Sequence, residues 1–201
     1  MGKSGSRLFS LIEGYKIMYR AFKSMRFLSK SKNKGLVSKQ FSERIMLAVT
    51  EVNGCAICSY AHTQMALENG LTGDEIKQLL GGAMDDVPSK ELPAIMFAQH
   101  FAEMRGYPSD KAKKELIDDY GMETAERIVA NINMIMLGNC YGIPAGSFVS
   151  RFNKNFKGEV DSRSNPLYEI IMLLGVVVFL PISLVHAFIA RLFRAPILKT
   201  K

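Results

Sequence analysis

From Leu8 onward, Leu8, Leu11, Ile12, Tyr15, Met18, Tyr19, Phe22 and Met25 recur three or four residues apart, while Arg7, Lys16, Arg20 and Lys23 fall largely on other faces. This is the pattern of a basic amphipathic helix. The run KSKNKGLVSK at residues 30–39 then reads as an exposed linker. Ser38 can cap a helix running through about Val52, stopped by Asn53-Gly54, and another runs from about Cys55 to Glu68, stopped by Asn69-Gly70. TGDE at Thr72 to Glu75 matches a capping box, so a further helix starts there. Helices over Ser89–Arg105, Ser109–Tyr120 and Glu123–Leu137 follow, with Gly121 as a stop, and no alternating strand pattern competes with them. The expectation is an all-α bundle of about six helices with short connections.

Beyond YGIPAGSF at residues 141–148 the chain changes character. Ile170 to Ala190 contains no formally charged side chain and is interrupted only by Gly175, Pro181, Ser183 and His186, a length suited to a membrane span. Arg151, Lys154, Lys157 and Arg163 precede it and Arg191, Arg194, Lys199 and Lys201 follow, so the basic flanks assign no orientation. A simple span, a hairpin bent at Pro181 and a helix buried in an oligomer interface all fit. Three regions result: a basic N-terminal extension (1–36), a helical domain (37–150) and a C-terminal extension (151–201) whose apolar segment is 170–190.

Charge sharpens this division. Residues 1–41 carry ten Lys/Arg against one acid, residues 42–150 eight against fifteen, and residues 151–201 eight against three, within a net charge of +7. Basic flanks around an acidic middle point to an anionic membrane surface rather than nucleic acid. Three cysteines form no framework of paired bridges, and no signal peptide is read before the first charges, so a catalytic domain at the cytoplasmic face of the membrane is expected.

The densest chemistry lies in EVNGCAICSYAHTQMALENG, residues 51–70. On a helix starting near Cys55, residues 55, 58 and 62 share one stripe. Cysteines three apart can close a disulfide with little backbone movement. The unpaired N–H groups of a first helical turn favour the thiolate, and His62 can take its proton. Upstream, Glu43 shares a stripe with Met46, Leu47 and Thr50 and should point inward as a proton carrier, whereas Glu51 shares one with Arg44 and Ala48 that reads as solvated. Zinc binding by Cys55, Cys58, His62 and a fourth ligand from Glu43, His100 or Cys140 is the rival, although structural zinc sites normally draw on two separated clusters. An inert buried pair, on a membrane-associated scaffold without catalysis, is the remaining reading. His100 in FAQHFAEM and Cys140 beside Tyr141 read as core residues, and the twelve methionines as gap fillers.

Glu43, eleven intervening residues and then CAICSYAH resemble the signature of the alkylhydroperoxidase D-like members of the carboxymuconolactone decarboxylase superfamily. The resemblance covers residues 37 to 90 well. It implies an all-helical fold that forms trimers or hexamers, and a thiol-dependent peroxidase or disulfide reductase activity with neither metal nor cofactor. Cys58 would be the peroxidatic thiol, Cys55 the resolving one, and Glu43 and His62 the proton relay. The substrate would be a peroxide or disulfide, the partner an external dithiol reductant. Cys55, at the helix start, would be the sulfur better placed to meet that reductant. Some family members carry a second histidine between the cysteines, where this chain has Ala56 and Ile57.

Overall fold

The computed structural model describes residues 7–29, 35–153 and 163–198; residues 30–34 of the basic run 30–39, and Lys154, Lys157, Lys199 and Lys201, lie outside the described residues. The described residues form seven α-helices and no strand. These are α1 (Leu11–Ser24), α2 (Lys39–Asn53), α3 (Ala56–Glu68), α4 (Gly73–Leu80), α5 (Leu92–Glu103), α6 (Asp110–Phe152) and α7 (Pro166–Leu192), with a short 3₁₀ turn at Met25–Leu28.

Local chemistry explains most boundaries. Ser38, Thr72 and Ser109 accept from the backbone N–H groups of Phe41, Glu75 and Ala112 as N-caps. Gly54 ends α2 in the left-handed conformation at φ 70°, which glycine adopts without steric cost. The capping box is half formed at Thr72, because the Glu75 side chain turns instead to Arg44. It is complete at Ser10 and Glu13, where α1 begins.

Two helices run longer than the sequence pattern suggests. Gly121 breaks the ladder of α6 at φ 72°, ψ 158°, as expected, but the helix resumes and continues past Leu137 to Phe152. Pro144 lies inside it and removes one backbone donor. Burial of Ile143, Pro144, Gly146 and Ser147 carries the helix across this defect. Likewise α7 passes through Pro181 as one helix, so the hairpin is not the structure.

The core is one cluster, centred on α2, α5 and α6. α1 belongs to it: Ile17, Met18 and Ala21 are buried, and α1 packs on α6 and α7. α1 and α7 run in the same direction, since Phe9 bonds to the Tyr168 hydroxyl at one end and Lys23 to the Pro196 carbonyl near the other. Between these, α7 turns its small residues inward: Gly175, Ser183, Ala187 and Ala190 are buried, and a Cβ added to Gly175 would come within 2.7 Å of Leu11 Cδ1. The fully buried Glu169 fixes the first turn of α7 by accepting two hydrogen bonds from Arg151 and one from Ser164. The opposite side of α7 is exposed and apolar, including Leu174, Val177, Val178, Val185 and Phe188.

The solvated face expected for Arg44, Ala48 and Glu51 is corrected. Arg44 and Ala48 are buried and Glu51 is half-buried. Arg44 bonds through Nε to Glu75 and through Nη1 to Glu91, at 2.9 Å in the second case. Helical spacing on α2 could not reveal that α4 and the turn before α5 would bring two carboxylates to it.

Candidate active site

Asn53 and Gly54 close α2, and the chain re-enters helix at once with Cys55 as the N-cap of α3. The Cys58 backbone N–H donates to Cys55 Sγ at 3.3 Å, so a sulfur occupies the place where a serine or aspartate oxygen usually sits. Cys55 and Cys58 are joined as a disulfide, with Cα atoms 5.3 Å apart. Cys140 is a free, buried thiol that desolvation pushes up to about 12.

The pair lies under α6. A Cβ added to Gly142 would stand 3.0 Å from both sulfurs, and one added to Gly146 would reach 2.9 Å from Ile57 Cδ1. Two glycines one helical turn apart thus let α6 come down onto the first turn of α3. Sequence reasoning treated YGIPAGSF as the start of a boundary and missed them. The readable signal was the four-residue glycine spacing on one helix face, which marks a close approach.

This cover reverses one expectation. Cys55 is 1% exposed and Cys58 8%, so the helix start is the more enclosed position and Cys58 the more accessible residue.

Glu43 and His62 meet as a pair: the imidazole Nδ1 lies 2.8 Å from Glu43 Oε2, with 14% and 10% of the two side chains exposed. Glu43 is inward, as its stripe predicts, on α2, and His62 sits one turn beyond Cys58 on α3. The carboxylate accepts the Nδ1 proton and so fixes the tautomer in which Nε2 carries the lone pair. The Cys58 sulfur thus lies one turn before an imidazole that a carboxylate orients.

The other named candidates stand apart. His100 is partly buried on α5, and its Nε2 accepts from the Ser109 backbone N–H at 3.4 Å. Among the described residues no group of three or more His, Cys, Asp and Glu side chains is arranged to hold a metal ion.

An all-helical domain with a Cys-x-x-Cys pair opening one helix and a Glu–His pair beside it defines a class of thiol-bearing helical proteins. Residues 18–104, from within α1 to the end of α5, match the model of the carboxymuconolactone decarboxylase family. The match contains Glu43, Cys55, Cys58 and His62, and it stops before α6 and α7. Searches of curated proteins and of solved structures returned no match.

Proposed function

We propose that the chain is a thiol-dependent peroxidase or disulfide oxidoreductase of the alkylhydroperoxidase D type. The observation that carries this reading is the bridged Cys55–Cys58 pair in the first turn of α3, with the Glu43–His62 pair one turn further along. His62 Nε2 takes the proton of the Cys58 thiol. The thiolate attacks the distal oxygen of a hydroperoxide, the O–O bond breaks, and the departing alkoxide receives a proton and leaves as an alcohol. Cys58 is then a sulfenic acid. Cys55 attacks its sulfur, water departs and the disulfide forms.

An external dithiol restores the enzyme. One of its thiolates attacks Cys58, the less covered sulfur, and Cys55 leaves as a thiolate that the Cys58 backbone N–H is placed to stabilise. The second thiol of the donor then attacks the mixed disulfide, so two electrons pass to Cys55 and Cys58 and the donor departs oxidised. A disulfide substrate would be reduced by the same two sulfurs.

We further propose that the chain attaches to a bilayer through the exposed apolar face of α7, with the catalytic domain on the cytoplasmic side, and that it assembles as a homo-oligomer. A helix of 27 residues is about 40 Å long, beyond the roughly 30 Å of a hydrocarbon core. A perpendicular span would carry α1, with Glu13 and Lys16, into that core, whereas lying along the surface buries only the apolar side.

The test is peroxide consumption by purified protein supplied with several dithiol donors. Cys58→Ser should abolish turnover. Cys55→Ser should retain one stoichiometric reaction with peroxide and stop at the sulfenic acid. Unchanged turnover in Cys58→Ser would refute the proposal.

A further inference from the structure

The cleft richest in uncommitted chemistry lies away from the cysteines. Its volume is about 420 Å³, and it is walled by the last turns of α1, the loop after α5, part of α6 and the residues that follow α7. Two helix ends converge to build it. After α5 the chain reverses at Arg105 (φ 52°), and the Gly106 N–H returns to the Phe101 carbonyl. After α7 it reverses at Arg194 (φ 48°), and the Ala195 N–H returns to the Ala190 carbonyl. Both are the six-to-one bond of a Schellman turn. The cleft sits against Val129 and Asn133 of α6, nine or more residues before Gly142 and so roughly 14 Å or more along that helix from the disulfide.

Arg20, Lys23 and Lys113 line this cleft, and no carboxylate does. Lys113 bonds to Asp110 at 2.8 Å, and Lys23 donates to the Pro196 carbonyl. Arg20 is different. Its Nη1 donates to the Gly106 carbonyl at 2.7 Å and its guanidinium lies 4.2 Å from the Tyr107 ring centre, but no carboxylate pairs with it among the described residues. A guanidinium has five N–H donors; the Gly106 carbonyl takes one and the Tyr107 side chain another, so donors remain. Burial pushes its pKa down, opposed only by Tyr107. The position is built: a Cβ on Gly106 would stand 2.0 Å from Arg20 Nη1, so only glycine admits the side chain there. Phe101, Val129, Ile197 and Leu198 supply the apolar part of the lining.

We propose that this cleft binds an anionic lipid, its phosphate head group held by Arg20, Lys23 and Lys113 and the start of its acyl chain laid on that apolar part of the lining. Arginine matches phosphate oxygens with paired donors, and an apolar chain accounts for the other half of the lining. The location suits a lipid: Phe188, Leu192 and Phe193, at the same end of α7, are 61%, 65% and 81% exposed, beside the exposed Arg191 and Arg194. The proposal is independent of the thiol chemistry.

Native mass spectrometry of the full chain in neutral detergent, titrated with dioleoyl phosphatidic acid, tests it. The expected result is a one-to-one adduct that millimolar inorganic phosphate does not displace. Arg20→Gln should weaken it about tenfold or more, as loss of a buried charged partner does. Lys113→Gln should weaken it less, and the double variant Lys77→Gln/Lys90→Gln, at exposed positions away from the cleft, should leave it intact. Absence of the adduct, its persistence in a folded Arg20→Gln, or equal weakening by the Lys77/Lys90 variant would overturn the proposal. Displacement by inorganic phosphate would assign the cleft to a soluble anion and overturn the lipid. If Arg20→Gln does not fold, Lys113→Gln decides: undiminished binding there overturns the proposal.

Discussion

Replacing Glu43 by glutamine tests the site without moving its atoms far. The Glu43–His62 contact is a 2.8 Å hydrogen bond between side chains that are mostly covered. A charge-assisted bond contributes about 1.5–3 kcal/mol and a neutral one about 0.5–1.5. If His62 gains a proton as Cys58 reacts, the variant loses the difference, about 1–2 kcal/mol, in the transition state. At 1.4 kcal/mol per factor of ten, that slows the reaction by about 5- to 30-fold. His62→Gln removes the proton acceptor itself and should cost about a hundredfold or more. Because Glu43 acts only through His62, the double variant should be no slower than His62→Gln alone. Stopped-flow measurement of reduced protein with hydrogen peroxide at neutral pH gives all four rates. The reasoning is refuted if Glu43→Gln stays within twofold of the natural chain, or if the two losses multiply in the double variant.

Three further outcomes follow from the fold. Arg44→Leu leaves Glu75 and Glu91 buried and facing each other without their cation; urea unfolding should show a loss of about 3 kcal/mol, largely recovered when both glutamates are also replaced by leucine. The Arg105 guanidinium bonded to Glu13 holds that carboxyl at about 2, below its ordinary 4.5. Its stabilisation is therefore complete above pH 4.5 and lost as pH falls toward 2. Glu13→Gln should lower stability by up to about 1 kcal/mol at pH 7 and by almost nothing near pH 2, read from thermal melts across that range. Leu174→Gln/Val178→Gln/Val185→Gln alters only exposed positions of α7; it should abolish co-sedimentation with vesicles while the circular dichroism and peroxide turnover persist, and continued vesicle binding would count against surface attachment.

Much of the molecule was legible because its signals are local. Ser38, Asn53-Gly54, Thr72 and Gly121 each act within a few residues of their own position, and each marks a real cap or break. The alignment of Cys55, Cys58 and His62 follows from helical geometry alone. What stayed hidden depends on partners distant in sequence. Arg44 looked solvated until Glu75 and Glu91 arrived from elsewhere. The helix through Pro144 holds because α3 and the core press against it, which no window around Pro144 can report. Cys55 seemed the outer sulfur until Gly142 closed over it. The small residues of α7 were read as interruptions of an apolar run, yet they form its seam with α1.

The placement of Gly142 against both sulfurs bears on timing as well as on shape. A bridge shut beneath a neighbouring helix is shielded from casual encounters with small thiols in solution. Once oxidised, such a molecule would keep its stored oxidising equivalent until a donor of the right contour arrived. It would then report past exposure to peroxide, in the manner of a latch that a single key releases, rather than track the ambient thiol pool from moment to moment.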